Sequence, residues 1–473
     1  MIDEDDQVKI ENKTDIVKDY DLYMVKGKGD IEIKPGAGHE NGGGVPDGPA
    51  VAKFDDKGSS GENDDDTSPP TPLRGAMPGI MAGAADYFGL GLISPLLPYW
   101  LEDKGEPETY VGYIQTAQYL GVIVGSIVLG RLCDLYGRKP TMLLALSGDV
   151  VFFMSTGFCP NANWLMVNRF VAGMFTPLVI SIAWVNDVGR GDLKATGKMM
   201  SAWAVCMSTS FMAGGLVGGA LGSERWVFGH ALCSFMALVA FIYITHIPEP
   251  PRADAQVKPE GLDRVLKSRE YRAICGVQFM VGLTFTGTIV ISTLITAVIL
   301  ELSSLETACV FASVALFHLL ENLVLMPMVI NRFGNSLPAM DVSVVTSAVF
   351  YALLSFEFAY ESVFLSTFFV VCASSIVPVI MTSNNIIAAS YATRYSKNAK
   401  GTALGISRLC FNVGQMLGPV VAVVLYDVDV RVFFVTFIGL TLISYCPWRY
   451  LHHVTSIEYE RNQTKVFVDN VEP

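Results

Sequence analysis

The stretch "GRLCDLYGRKP", Gly130 to Pro140, decides how the rest of the chain is interpreted. It holds four charged side chains and two glycines within a few residues. On both sides the chain is almost purely apolar for about twenty residues, which is the length that an α-helix needs to cross the ~30 Å hydrocarbon core of a bilayer. We therefore interpret the stretch as a short polar loop between two membrane-spanning helices.

Composition favours an integral membrane protein. Of 473 residues, 51% are hydrophobic and only 16% are charged, whereas about a quarter of the residues of a soluble protein are charged. The net charge of −12 comes mostly from residues 1–77, which hold 18 acidic and 9 basic side chains. The remainder is close to neutral and suggests no nucleic-acid partner. The nine cysteines lie mostly alone in apolar runs, so we expect neither a disulfide framework nor a metal site.

Twelve apolar runs predict an all-α membrane protein, because the runs are too long and continuous for the alternating strands of a barrel. The predicted spans are 78–101, 111–131, 140–159, 163–188, 198–222, 226–248, 272–300, 306–330, 338–358, 362–388, 401–426 and 430–448. A long polar connection separates them into six and six. The predicted organisation is a disordered acidic tail at 1–77, six-helix bundles at 78–248 and 272–448, a linker at 249–271 and a C-terminal tail at 449–473.

The distribution of basic residues predicts the orientation. With the amino terminus inside, the inner connections hold 16 lysines and arginines, and the outer ones hold only Lys104, Arg225 and Arg431. Basic residues favour the cytoplasmic side. We therefore expect both termini in the cytoplasm, with Gly130–Pro140 in an inner loop. The plasma membrane and a vacuole-type organelle both remain open.

An internal repeat relates the two halves. The segments "KATGKMMSAWAVCMSTSFMAGGLVGG" from Lys194 and "NAKGTALGISRLCFNVGQMLGPVVAV" from Asn398 align at an offset of 204 residues. Gly214 then corresponds to Gly418. Repeated bundles of this kind typically enclose a substrate path between them.

At this point the chain resembles the major facilitator superfamily, whose signature in this loop reads G-x-L-x-D-x-x-G-R-K/R. The matching residues are Gly130, Leu132, Asp134, Gly137, Arg138 and Lys139. A glycine at 130 allows two helices to approach closely, and one at 137 permits a tight turn. Asp134 can accept hydrogen bonds from a neighbouring helix amino terminus or from Arg138.

The resemblance implies that these residues form a conformational clamp that latches the outward-open state. The alternative is a basic loop that only sets topology. The second-half equivalent, "NRFGNSLP" at Asn331–Pro338, is degraded, which predicts an asymmetric clamp.

Other elements resemble the drug/proton antiporter branch of this family. The first span carries Asp86 followed by Gly91, Pro95 and Pro98. "NRFVAGMF" contains Arg169 four residues before a glycine, and the glycines of "MAGGLVGG" resemble an antiporter element, although Gly215 stands where that element has proline. Those glycines have packing as an alternative role.

Charged residues inside predicted spans are candidate sites, because an ionisable side chain at a helix centre costs at least ~2.5 kcal/mol. Asp86 is the first candidate for proton coupling, with Arg169 as the partner that tunes it, and a permanent structural ion pair is the alternative. Asp149 and Asp341 stand at related places in the two halves.

The second half has its own candidates. His318, Glu321 and Asn322 share one helix face in span eight, where a histidine and a carboxylate suit proton transfer or a cationic substrate. A structural polar face is the alternative. Arg408 in span eleven can bind an anionic group, pair with Glu321, or extend to the inner interface.

These features predict a secondary transporter that works by alternating access and couples protons to efflux of a small organic solute. A nutrient uniporter or symporter, and a non-transporting membrane sensor on the same fold, are the alternatives. No nucleotide-binding loop or nucleophile motif is present in the sequence, so we expect no enzyme activity and no catalytic, cofactor-binding or metal-binding residues. The expected partners are the solute, protons and the lipid bilayer, with the protein a monomer that binds no nucleic acid.

Overall fold

A computed structural model describes residues 72–189, 193–250, 269–333, 337–356, 362–392, 397–443 and 445. Nearly all of the predicted tail at 1–77, most of the linker at 249–271 and the whole C-terminal tail at 449–473 lie outside the described residues. Residues 334–336 of the degraded second loop also lie outside them.

The first predicted half folds into seven helices, with two of them forming the fourth span. Their bounds are α1 Pro72–Asp103, α2 Tyr110–Tyr136, α3 Arg138–Thr156, α4 Ala162–Met174, α5 Leu178–Gly189, α6 Leu193–Leu221 and α7 Trp226–Thr245. A short 3₁₀ turn, Ser223–Arg225, precedes α7.

The second predicted half is helical in the same way. Its helices are α8 Arg269–Leu294, α9 Ser304–Leu320, α10 Met326–Phe333, α11 Leu337–Leu354, α12 Val363–Ala392, α13 Lys397–Val428 and α14 Val430–Ile443. Two π-helical turns interrupt the regular helices: Ile295–Ile299 extends α8, and Glu321–Leu325 joins α9 to α10.

The lengths and apolar surfaces of these helices make the protein a multi-pass integral membrane protein. Within the described ranges, nine helical stretches are long and apolar enough to cross a bilayer, and α3, α11 and α14 supply the other three predicted spans. Large apolar side chains point outward, such as Phe364 at 82% exposure. Lipid tails solvate such side chains well, and the helices satisfy their own backbone hydrogen bonds.

Local chemistry explains where several helices begin. The Asn161 side chain accepts a hydrogen bond from the Trp164 N–H at 3.0 Å and caps α4. Ser303 and Glu306 form a capping box at the start of α9. Between α2 and α3, Gly137 adopts a φ of +114°, a conformation that glycine adopts without the steric penalty of a side chain.

The fourth predicted span, 163–188, is present as Ala162–Gly189. It breaks at Phe175–Pro177 between α4 and α5. Proline has no N–H to donate and disfavours the helical conformation of the residue before it, so Thr176 leaves the helix.

Equivalent glycine contacts support the internal repeat. A Cβ added at Gly214 would lie 2.0 Å from the Phe88 backbone oxygen, and one added at Gly418 would lie 2.4 Å from the Leu283 backbone oxygen. In both halves the repeat glycine thus brings two backbones together, α6 against α1 and α13 against α8. The structure therefore shows Gly214 and Gly418 in close helix packing, which was the alternative to an antiporter element.

The two halves meet chiefly through α2 with α13 and α6 with α9. At one end, which we call the closed end, Gly112 of α2 lies against Pro419 and Val423. There the Ser304 hydroxyl donates to the Gly219 carbonyl oxygen at 3.1 Å. The opposite end carries Asp134 and Arg138, and we call it the clamp end.

The clamp end is open between the halves over the residues that the structure describes. Tyr136 at the end of α2 is 68% exposed. A Cβ added at Gly130 would have no described atom within 4 Å. The close helix approach expected at Gly130 is therefore not observed in this conformation, because the halves have separated at this end.

Candidate functional site

The break in the fourth span places a hydroxyl on Asp86. Asp86 is buried in the middle of α1, and the Thr176 hydroxyl donates to its Oδ2 at 2.7 Å. Thr176 is free to turn toward α1 because Pro177 has ended the helix before it. The carboxylate predicted for proton coupling is thus held by a neutral donor.

Arg169 takes a neutral partner as well. Its side chain is 1% exposed, and its Nε and Nη2 donate to Gln118 Oε1 of α2 at 3.2 and 2.7 Å. The predicted direct ion pair between Arg169 and Asp86 is not formed. No ion pair joins these two residues in the described part of the chain. Instead, Arg169 binds Gln118 of α2, and Asp86 binds Thr176 at the break in the fourth span.

Asp149 joins these two residues in one buried cluster. It lies on α3 at 3% exposure, and its Oδ2 has no hydrogen-bond partner, as is also true of Arg169 Nη1. Asp149 interacts electrostatically with both Asp86 and Arg169. We call Asp86, Asp149 and Arg169 the acidic cluster. With two carboxyl groups and one guanidinium, the acidic cluster is neutral when it holds one proton.

Sequence reasoning noted Asp149 but assigned it no role. Asp149 could have been identified as a functional candidate, because an acidic residue in the middle of an apolar span is costly and is often functional. Gln118 and Thr176 had weaker signals, because neutral polar residues are common inside spans. Their roles depend on how neighbouring helices are rotated against one another.

The second half buries a carboxylate at a π-helical turn. Glu321 is the first residue of the turn Glu321–Leu325 and is 1% exposed. Among the described residues, neither carboxylate oxygen has a close hydrogen-bond partner, although the Thr382 hydroxyl interacts with the carboxylate. His318 Nε2 lies 3.9 Å from Glu321 Oε2, and His318 Nδ1 lies 3.3 Å from the Ser208 hydroxyl of α6. The predicted pair is thus brought together at the boundary between the halves.

Two neighbouring polar residues make other contacts. The Asn322 amide donates to the His318 backbone oxygen at 2.8 Å, so it serves its own helix. Arg408 does not pair with Glu321: no ion pair joins them among the described residues. Its guanidinium instead lies 4.7 Å from the centre of the Phe411 ring on the same helix.

The clamp motif ties together the ends of four helices of the first half, α2, α3, α5 and α7. Arg138 Nε donates to Asp187 Oδ2 at the end of α5 at 2.6 Å, and Arg138 Nη1 donates to Asp134 Oδ1 at 3.1 Å. The Asp134 side chain is 79% exposed. Lys139 Nζ donates to the Thr245 carbonyl oxygen at 2.8 Å.

Asp187 and Glu249 are members of this network that sequence reasoning missed. The Arg138 backbone N–H donates to Glu249 Oε1 at 2.8 Å, just after the last helix of the first half. Both acids stand at the ends of predicted spans, where charged residues are common, so the sequence did not distinguish them. In this conformation every clamp contact named above lies inside the first half.

Comparison with known proteins agrees with this architecture. The human organic anion transporter MFSD10 has a similar structure, with a TM-score of 0.61 at 19% identity over 80% of this chain and 100% of that one. A D-xylose-proton symporter gives 0.64 at 14% identity over 78% and 96%. These likenesses concern the fold. A family model described as Major Facilitator Superfamily matches residues 79–300.

Over residues 79–300 the chain is thus similar to the major facilitator superfamily. The fold and the matched proteins indicate a membrane transporter of small solutes. It is 22% identical to multidrug resistance protein 1 of Bacillus subtilis over 353 residues, covering 73% of this chain and 88% of that protein. It is 23% identical to the quinolone resistance protein NorA of Staphylococcus aureus, covering 75% and 91%. A class G tetracycline resistance protein of Vibrio anguillarum is 28% identical, but the match spans only 42% of that protein.

Proposed function

We propose that this protein exports a small organic solute in exchange for protons by alternating access. The observation that carries the proposal is Glu321. Glu321 is 1% exposed, and its polar neighbours among the described residues are only the Thr382 hydroxyl and His318. A carboxylate in such surroundings is stable inside a membrane only when it is protonated or briefly compensated. Such a group is suited to carry a proton between the two sides.

Its surroundings link protonation to the movement of the halves. His318 stands 3.9 Å from Glu321 and contacts Ser208 of the opposite half. When the halves rock, this contact changes, and so does the compensation that His318 offers to the carboxylate. The π-helical turn at Glu321 supports the same role, because such turns occur frequently at functional sites.

The acidic cluster supplies a second proton site in the first half. One proton neutralises it, and solute or water reaching Asp86 can change which group holds that proton. Arg169 then tunes the cluster, as predicted from the sequence. The multidrug resistance protein of Bacillus subtilis and the quinolone resistance protein of Staphylococcus aureus are similar to this chain along most of their length, which supports export of organic compounds.

The clamp motif is proposed as a latch for the other conformation. With the clamp end open, Asp134 is exposed and its contact is Arg138. When that end closes, the carboxylate becomes available to a helix amino terminus of the second half. In this proposal the side with the excess of basic residues is cytoplasmic, which would make this conformation inward-open and put both termini inside. We also propose that it acts as a monomer in the bilayer.

The test uses purified protein in liposomes that trap a pH-sensitive dye. A proton gradient is imposed, and cationic, neutral and anionic compounds are added one at a time. Wild type is compared with Asp86→Asn, Asp149→Asn and Glu321→Gln. Glu224→Gln, an exposed acid before α7, is the matched control.

We expect compound-dependent proton movement in wild type and in the control. The expected fall in the site variants is roughly 100-fold, which is the usual contribution of a positioned proton carrier. Labelled compound that equilibrates without proton movement in wild type contradicts the coupling and leaves a facilitator. Full coupling in Glu321→Gln removes that residue from the mechanism.

A further inference from the structure

Within the part of the chain that the structure describes, Arg408 is a cation without a counterion at the boundary between the halves. It lies on α13 and is half-buried. Among the described residues, no carboxylate lies within ion-pair distance of its guanidinium. The nearest compensation is the Phe411 ring at 4.7 Å, and a cation–π contact is weaker than an ion pair.

The groups that face Arg408 come from the opposite half. Its guanidinium interacts electrostatically with the phenols of Tyr87 on α1 and Tyr119 on α2. Phenols are neutral at physiological pH, so they contribute hydrogen-bonding capacity but leave the positive charge in place. The site therefore combines one fixed positive charge with two hydroxyl groups across the boundary between the halves.

The surroundings of Arg408 and Tyr87 include open space and a second aromatic ring. A Cβ added at Gly405, one helical turn before Arg408, would meet no described atom within 4 Å. The Trp203 ring of α6 stands edge-on to the Tyr87 ring, with the ring centres 6.4 Å apart. Trp203 is held in place because its Nε1 donates to the Ser181 hydroxyl at 2.7 Å. Tyr87, which interacts with Arg408, therefore has a fixed aromatic neighbour.

We propose that Arg408 binds the anionic group of the transported solute, an organic anion with a planar apolar body. A charged side chain at membrane depth normally has a partner, and here the ligand supplies it. Arginine suits a carboxylate because its planar fork donates two parallel hydrogen bonds. Asp86 and Glu321 make no ion pair with Arg408, so they remain available for protons.

This inference rests on the proposed transport function but is tested apart from proton coupling. Equilibrium binding to the purified full-length protein is measured by calorimetry in detergent, without a gradient. The probes are 2-naphthoate, 1-naphthoate and biphenyl-4-carboxylate, each compared with its neutral amide and with the corresponding aminomethyl cation. The variants are Arg408→Gln, Arg408→Lys and Tyr119→Phe, with Arg225→Gln as an exposed control for loss of one charge.

We expect at least one carboxylate to bind wild type and the control more tightly than its amide and its cation. Arg408→Gln should lose about 10- to 100-fold in affinity, the range for one charge-assisted hydrogen bond. Arg408→Lys should be intermediate, since it keeps the charge without the fork. If Arg408→Gln does not fold, as judged by its thermal unfolding, Tyr119→Phe should still weaken carboxylate binding about threefold to tenfold.

Three results would overturn the inference. They are binding of amides or cations at least as tight as that of the carboxylates, equal carboxylate binding by Arg408→Gln, and no binding of any carboxylate. Cation-driven proton movement with Arg408→Gln unaffected would remove the anion site and leave proton coupling intact. Carboxylate binding that depends on Arg408, without proton movement in liposomes, would support the anion site and contradict proton coupling.

Discussion

A charged side chain that is buried in a membrane protein depends on a small number of contacts. Arg169 shows this clearly, because two of its nitrogens share a single acceptor, Gln118 Oε1, while its Nη1 has none. Its remaining compensation comes through space from Asp86 and Asp149. One neutral amide on α2 therefore determines where the guanidinium of the acidic cluster lies.

Removing that amide should destabilise the protein. Gln118→Leu leaves two more buried donors without an acceptor, which costs roughly 1–3 kcal/mol and lowers the midpoint of thermal unfolding by several degrees. Gln115→Leu on the same helix is the matched control. The measurement is thermal unfolding of both variants in the same detergent.

The double variant Gln118→Leu with Arg169→Leu gives the sharper result. Replacing both partners of a buried contact is much less destabilising than removing one, so the double variant should regain part of the stability that Gln118→Leu loses. If the two effects simply add, the residues are not coupled as the structure indicates.

At the scale of elements, the break in the fourth span has the largest consequence for the site. Phe175–Pro177 separates α4 from α5 and presents the Thr176 hydroxyl to Asp86. In a continuous helix, Thr176 would have helical backbone angles, and its hydroxyl would point away from Asp86. The irregular backbone is tolerated because it lies inside the protein rather than against lipid.

Pro177→Ala tests this arrangement. Alanine restores an N–H donor and a strong helix former, so the helix should extend through 176 and Asp86 should lose its donor. We expect coupled transport to fall about tenfold or more, the equivalent of one hydrogen bond to a charged group, while thermal stability changes little. The measurement is proton-coupled flux in liposomes, with Pro95→Ala on α1 as a comparison. Unchanged flux would show that the break does not position Thr176.

Particular elements show what sequence patterns can and cannot predict. The twelve apolar runs all correspond to helices, because length and hydropathy are local properties. The break at Pro177 had a local signal in proline itself, but the apolar run around it favoured one helix. The π-helical turns had no such signal. Asp86 and Glu321 were identifiable as charges in apolar runs, whereas their surroundings depend on helix rotation and long-range packing.

At the scale of the whole molecule, the halves touch at one end and separate at the other. At the closed end, the Tyr99 hydroxyl of α1 binds the Leu302 carbonyl oxygen and lies 2.7 Å from the Thr307 hydroxyl of α9. Alternating access requires these contacts to break in every cycle. They should therefore be strong enough to hold one state but weak enough to be exchanged for contacts at the clamp end.

Cross-linking the closed end should stop transport. In Tyr99→Cys with Thr307→Cys, a short bis-methanethiosulfonate reagent should form a disulfide with each introduced cysteine, release sulfinate, and so join α1 to α9 and hold this conformation. We expect flux to fall to background in the cross-linked double variant and to return after reduction. Either single variant treated with the same reagent controls for modification of the native cysteines. Persistent flux with the link intact would mean that this end does not open during transport.

The arrangement of the two halves was the feature least predictable from the sequence. The repeat at an offset of 204 residues indicated two related bundles, and equivalent glycine contacts support it. Nothing local to Gly130 or Asp134 indicates whether the clamp end is open, because opening depends on contacts between the two halves. The conformation depends on small differences between contacts at opposite ends of the molecule.

The π-helical turn at Glu321–Leu325 also has a consequence for comparing relatives. A turn closed by i→i+5 hydrogen bonds holds one residue more than an α-helical turn, so this span contains a single-residue insertion that its neighbours accommodate. A relative that lacks one residue here can form an unbroken α-helix with the same contacts before and after it. An alignment gap inside the eighth span would then mark the gain or loss of this buried carboxylate site, although gaps within membrane helices are usually read as alignment errors.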